Sequence, residues 1–157
     1  MYRRIIAALG TLADQRPGVG AIVTTGGAAV DGELAALPNV EIRGRAPHAE
    51  IMPHADLVIG HGGHSTTMRA LAHGVPILVL PLDPTSDQRM TGGIVERAGI
   101  GRTLPRDASA ETLRDAITAM LSDPDLRARA ARTGERLRGQ HGATLGAERV
   151  EAIATRP

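Results

Sequence analysis

The chain has 157 residues, enough for one domain with a real core, and its 18 basic and 17 acidic side chains leave a formal net charge of +1. That balance gives no electrostatic footprint for nucleic acid, and one Tyr with no Phe or Trp leaves no platform for stacking single-stranded bases. There is no cysteine for disulfides or thiolate chemistry, no run near the ~20 apolar residues of a membrane span, and the opening "MYRRIIAALGTLADQ" breaks at Thr11 before it reads as a signal peptide. The expectation is a single cytoplasmic domain over residues 1–157. Its core rests on Leu, Ile, Val, Ala and Met, and its basic residues are all Arg.

In chain order, Ile5, Ile6, Leu9 and Leu12 at 3–4 spacing predict a helix over 2–15 that stops near Pro17-Gly18. "AIVTT" (21–25) predicts a strand ending at Gly26-Gly27, and Val40–Arg43 a second strand bounded by Pro38 and Pro47. "HAEIMPHA" (48–55) reads as a short helix or turn. "DLVIG" (56–60) reads as a third strand, with the continuous apolar run of a parallel strand buried on both faces. A helix over about 65–73 follows, then the strongest strand, "VPILVLPL" (75–82), a helix over about 88–98 and a short strand in "GIGRTLP". Ser109 is placed to cap a helix with Leu113, Ile117, Met120 and Leu121 on one face. Asp123-Pro124 opens a final helix, whose five arginines over 127–138 read as a solvated face. Strands alternating with helices of this length predict an α/β fold, a Rossmann-like parallel sheet with helices on both faces.

The chemistry concentrates in "VIGHGGHSTTMRALAHGVP" (58–76). In open α/β sheets ligands bind beyond the carboxyl ends of the strands, and the stretch after Ile59 lies at such an end. Gly62 and Gly63 let the backbone approach a ligand, the next helix presents unpaired N–H groups, and Ser65 and Thr66 offer hydroxyls for a cap or a phosphate. His61 can donate to an anionic oxygen. The competing reading is a tight turn with a capping Ser65 and incidental histidines. The stretch is neither a Walker loop nor a Gly-x-Gly-x-x-Gly fingerprint, and it lacks the Gly-x-Ser-x-Gly elbow of a serine hydrolase. His48, His54, His61, His64 and His73 crowd into 26 residues. None of them forms a pair at recognised ligand spacing, so no metal is expected.

The stretch "HADLVIGHGGHSTTMRALAHGVPILVLPLDPTSDQ" resembles the donor-binding half of GT-B fold, family 1 nucleotide-sugar glycosyltransferases, in particular bacterial antibiotic and natural-product enzymes. Linked features in the same order over roughly residues 20–105 carry the likeness: a strand ending in Thr-Gly, "LPNV", "IMPHAD", His-Gly-Gly, Ala-Leu-x-x-Gly-Val-Pro, a Pro-Leu strand and Asp-Gln. The resemblance implies that His61, Gly62, Gly63, Ser65 and Thr66 hold the donor diphosphate. It implies that Asp87 and Gln88 hold sugar hydroxyls, and that Arg45, Ala46, Pro47 and His48 pass along the nucleobase. It further implies an inverting, metal-independent transfer from a UDP- or dTDP-sugar to an acceptor hydroxyl.

Some positions depart from the family pattern. Arg45 stands where plant members stack the base on Trp, and Arg69 falls where a Glu often binds ribose. The loop "DPTS" is about two residues longer than usual, and Thr91 replaces a common Asn. Family members carry the acceptor pocket and the catalytic histidine in an N-terminal domain, and the first strand of their donor domain sits mid-sheet. Neither has a counterpart in these residues, so no catalytic residue is assigned. The readings left open are a donor-binding domain, the nucleotide-sugar subunit of a split enzyme that needs a partner chain, an inactive fragment, or a homo-oligomer.

Overall fold

The computed structural model describes residues 1–27, 34–83 and 85–155. Helix α1 (Tyr2–Gln15) leads into β1 (Ala21–Thr24), and β2 (Val40–Arg43) runs into α2 (His48–Ile51) and a 3₁₀ turn over Met52–His54. Then β3 (Val58–Gly60), α3 (His64–Ala72), β4 (Ile77–Val79), α4 (Gln88–Arg97) and β5 (Gly101–Thr103) alternate, followed by α5 (Ala110–Leu121), α6 (Pro124–Gly139) and α7 (Gly142–Ala154). All three ladders are parallel, as expected. They form two sheets, β1-β2 and β3-β4-β5, and no strand joins them among the described residues.

The sequence period explains which strand lies deepest. Ile77, Leu78, Val79 and Leu80 are at most 1% exposed, and alternate residues point to opposite faces. Leu78 and Leu80 enter a cluster with Ile5, Leu9 and Leu12 of α1 and Leu113 and Ile117 of α5, which also holds Val23 and Val40 of the other sheet. Ile77 and Val79 enter a second cluster with Leu71 of α3, Val95 of α4 and Ala130 of α6. A third, smaller cluster packs Met52 of the 3₁₀ turn on Ala70 and Val75. The observed strand is shorter than 75–82 because Pro76 and Pro81 flank it and cannot donate to a ladder.

Turn chemistry delivers each helix to the next strand. Gly74, at φ +73°, ends α3: its N–H donates to the Leu71 carbonyl at 2.9 Å and that of Val75 to Ala70 at 2.9 Å. Gly99 repeats the pattern after α4, with bonds to Glu96 and from Ile100 to Val95. Both are Schellman closures, which need a left-handed residue. Ser109 caps α5, accepting from the Thr112 N–H at 3.0 Å, and Asp123 caps α6, accepting from Leu126 at 2.9 Å. Each such cap stabilises by about 1 kcal/mol.

The Arg-rich helix is not the last one. Gln140 and His141 break the chain, and α7 follows with no buried residue and with Leu145, Val150 and Ile153 exposed. Gly142 and Gly146 weaken its periodic signal, which is why the spacing gave no helix there.

Truncating Leu78→Ala should cost about 2–5 kcal/mol of unfolding free energy, since it opens a cavity where nothing can collapse. Val150→Ala on α7, 67% exposed, should change stability by less than about 0.5 kcal/mol. Urea melts of the two variants check this. Equal losses would mean that α7 is part of the core.

Candidate functional site

The glycine turn leaves the carboxyl end of β3 and becomes the N-terminus of α3 at His64, one residue earlier than the spacing predicts. Gly62 takes φ +86°, and a Cβ there would stand 2.8 Å from Val79 Cγ1 and 3.0 Å from the Gln88 carbonyl oxygen. A side chain is therefore excluded on both conformational and steric grounds. The same contact joins two segments picked out in the sequence, the His-Gly-Gly turn and the Asp87-Gln88 pair.

Gly63 is the N-cap of α3 and has no side chain to offer, and neither Ser65 nor Thr66 caps the helix. The first intrahelical bond runs from the Thr67 N–H to the Gly63 carbonyl at 3.1 Å, so the N–H groups of His64, Ser65 and Thr66 have no intrahelical acceptor. No acidic residue sits in that first turn to neutralise its partial positive charge. His61 is exposed and folds its ring back over this end, with Nε2 2.5 Å from where a Gly63 Cβ would be. The imidazole thus occupies the space that Gly63 leaves free. Ser65 is exposed and Thr66 half-buried. Thr67, which sequence reasoning passed over, is 3% exposed, with a hydroxyl that lacks any hydrogen-bond partner. Its place in the polar run His64-Ser65-Thr66-Thr67 carried no signal for that.

Asp87 is the N-cap of α4, exposed, with a carboxylate that makes no cap hydrogen bond. Gln88 is half-buried, and its Oε1 accepts from the Leu82 N–H at 2.7 Å and from the Asp83 N–H at 3.2 Å. Two donors facing one side-chain atom fix which amide atom it is. The carbonyl of Gln88 is therefore committed to the loop after β4, and only its NH₂ remains to face a ligand. That loop is braced from within. Asp83 Oδ1 accepts from both the Thr85 hydroxyl (2.7 Å) and N–H (2.8 Å), which hold its carboxyl below the usual range. Arg106 adds a bond to the Leu82 carbonyl at 3.1 Å.

Arg45, Ala46, Pro47 and His48 follow the carboxyl end of β2. The Arg45 guanidinium lies over the Gly26-Gly27 turn, its Nε 3.7 Å from a Gly27 Cβ position. Pro47 is the N-cap of α2, and its carbonyl accepts from the N–H groups of Glu50 and Ile51. All the candidate residues thus stand at the carboxyl ends of β2, β3 and β4. The turn and Gln88 touch, whereas the Arg45–His48 segment belongs to the other sheet. A cavity of about 690 Å³ lies elsewhere, between β1 and β3, and of the candidate residues only His48 and Thr66 line it. Among the described residues no three of His, Asp and Glu gather as a metal-binding group, and no helix is long and apolar enough to cross a membrane.

Comparison with known proteins gives this geometry a family. Residues 10–151 match the family described as erythromycin biosynthesis protein CIII-like, C-terminal domain. Demethyllactenocin mycarosyltransferase of Streptomyces fradiae is 32% identical over 164 residues, covering 95% of this chain and 35% of the relative. The solved glycotransferase of kitacinnamycin superposes with a TM-score of 0.79 at 27% identity, over 92% of this chain and 38% of its own. A spinosyn rhamnosyltransferase complexed with thymidine diphosphate gives 0.71 at 27% identity, over 87% and 37%. The chain therefore spans little more than a third of the length of these proteins. With its parallel strands, its glycine turn and its helix N-terminus in this order, the chain belongs to the C-terminal domain family of erythromycin biosynthesis protein CIII-like glycosyltransferases, of the GT-B type.

Proposed function

We propose that residues 1–157 form one nucleotide-sugar-binding domain of an inverting, natural-product glycosyltransferase working in the cytoplasm. The observation that carries this reading is the α3 N-terminus: three N–H groups without intrahelical acceptors, no acid in the first turn, and the His61 ring lying over Gly63. A diphosphate is the ligand that such an end favours. The solved relative holding thymidine diphosphate supports it, at 27% identity.

In the complete enzyme, a base on the acceptor side deprotonates an acceptor hydroxyl. The oxygen attacks the anomeric carbon of a UDP- or dTDP-sugar, and the bond to the nucleoside diphosphate breaks. His61 and the α3 N–H groups stabilise the charge that develops on the leaving phosphate, and the scheme needs no metal. Asp87 accepts from sugar hydroxyls while the Gln88 NH₂ donates to one. The backbone of Arg45–His48 contacts the base. Arg69, a cation without acceptor capacity, leaves the ribose to other groups. The chain by itself binds donor and does not turn it over. A partner polypeptide or further domain brings the acceptor pocket.

Thermal melts with UDP, dTDP and their sugar conjugates test this. At ligand concentrations of about 100 times the dissociation constant, binding should stabilise by about 2.7 kcal/mol, a shift of several degrees. His61→Ala should abolish the nucleotide shift. No shift with either nucleotide in the unaltered chain would refute the reading.

A second variant separates sugar from diphosphate. Gln88→Glu keeps an acceptor for the Leu82 and Asp83 N–H groups but loses the NH₂. It should melt like the parent and retain the shift with UDP or dTDP. The extra shift given by the sugar moiety should disappear. Loss of the plain nucleotide shift in this variant would place Gln88 on the diphosphate instead.

A further inference from the structure

Beyond β4 the backbone leaves the sheet and must find its hydrogen bonds elsewhere. The last ladder bonds run from the Leu80 N–H to the Gly60 carbonyl at 2.8 Å and from the Leu104 N–H to the Val79 carbonyl at 2.9 Å. Pro81, which has no N–H, ends the pairing. All four backbone groups of the next two residues, Leu82 and Asp83, are nevertheless satisfied. Gln88 Oε1 accepts from both N–H groups, and the Asp83 carbonyl accepts from the Ser86 hydroxyl at 2.9 Å. The Leu82 carbonyl accepts from Arg106 Nη1 at 3.1 Å.

These partners are not equivalent. Gln88 and Ser86 belong to the loop and to the helix it opens, and the Ser86 hydroxyl accepts from the Gln88 N–H at 3.4 Å, so together they close the loop on itself. Arg106 comes from another part of the fold, the turn between β5 and α5. That turn is itself held: Leu104 packs on the large cluster, and the Ala108 N–H closes on the Pro105 carbonyl at 3.0 Å. The carbonyl of Arg106 accepts from Arg4 Nη2 of α1 at 2.6 Å. Through Arg106 the loop after β4 is thus referred to β5 and α1. Among the described residues no carboxylate pairs with Arg106, so its charge is aimed at a neutral carbonyl rather than neutralised in an ion pair.

The Leu82 carbonyl and the Asp83 N–H are the two ends of one trans peptide and point in opposite directions. Arg106 grips the first, and the second holds the Gln88 oxygen. A cation on the carbonyl also polarises the peptide and strengthens its N–H as a donor. Without that grip the peptide plane is free to turn, and the Gln88 oxygen loses the donor that orients it. The amide of Gln88 is planar, so fixing its oxygen fixes the direction of its NH₂. We infer that Arg106 is a positioning residue for sugar recognition: by holding the Leu82 carbonyl it fixes the peptide that holds Gln88, and so aims the Gln88 NH₂ at a sugar hydroxyl. The inference rests on the reading of Gln88 as a sugar-binding residue, and it gives Arg106 no contact with the ligand.

The test uses the full chain and its Arg106→Ala and Arg106→Lys variants, titrated with UDP, UDP-glucose, dTDP and dTDP-glucose. The ratio of the dissociation constants of nucleotide and nucleotide sugar reads the sugar alone. Arg106→Ala should leave the affinity for UDP and dTDP within about twofold and cut that ratio about fivefold, as loss of one net hydrogen bond requires. Arg106→Lys, which keeps a cationic donor for the carbonyl, should restore most of it. In the ligand-free protein, ¹⁵N relaxation should find the Gln88 side-chain amide, identified by its absence from Gln88→Glu, more mobile in Arg106→Ala than in the parent. An unchanged ratio in Arg106→Ala would overturn the inference. So would a reduced ratio with an equally rigid Gln88 amide, which would put Arg106 on the sugar itself, or an equal loss for nucleotide and nucleotide sugar, which would put it on the diphosphate. A parent chain with no preference for either sugar conjugate would instead refute the sugar-binding reading of Gln88, and the inference would fall with it. The parent titration alone tells that failure from the others.

Discussion

Burial of β4 on both faces is the constraint from which the other positions follow. Leu78 and Leu80 reach one helical layer while Ile77 and Val79 reach the other, so α1 and α5 are fixed to one side and α3, α4 and α6 to the opposite side. A single three-residue strand thereby sets the level of the carboxyl ends at which ligands meet a parallel sheet. Val79 also forms the wall against which Gly62 packs, and that contact aims the glycine turn outward. Removing the β4 core would displace the site before it disturbed any residue of the site itself.

Much of this could be read in the sequence, for a physical reason. "VPILVLPL", "DLVIG" and "AIVTT" are apolar runs too short for helices and bounded by Pro or Gly, and the structure places strands within all three. Ser109 and Asp123-Pro124 carry their capping chemistry in their side chains, and both caps form. Local signals failed where non-local geometry decides. Ser65 looked like a cap, yet the cap position falls on Gly63, because Gly62 turns the chain one residue sooner. The resemblance implies sugar hydroxyls for Gln88, and no local signal showed that the loop after β4 takes the oxygen of its amide. The buried Thr67 hydroxyl and the α7 helix gave no periodic or compositional sign at all.

The division of the sheet bears on how the candidate site is built. The His61–Thr66 turn and the Asp87-Gln88 pair ride on the three-stranded sheet, whereas Arg45–His48 continue from β2 of the other. Two apolar contacts span the gap: the large cluster that takes Val23 and Val40 alongside Leu78 and Leu80, and the small one where Met52 of the 3₁₀ turn meets Ala70 and Val75. Side-chain packing of this kind holds two layers together but sets their sliding register less sharply than a hydrogen-bonded ladder, in which a one-residue slip moves every side chain to the wrong face.

A ligand that touched both segments would therefore meet a site whose halves are located by different means. The glycine-turn end is fixed by backbone against backbone, at Gly62 and Gln88. The Arg45–His48 end hangs on Pro47 and α2, with Met52 as its anchor. The distance from Arg45 to His61 therefore rests on apolar packing between the two sheets, and preorganisation of such a distance is where binding free energy is otherwise lost. Packing between the sheets and recognition of a two-ended ligand are in this way one problem, because the contacts of Val23, Val40 and Met52 set the span between the Arg45–His48 segment and the glycine turn.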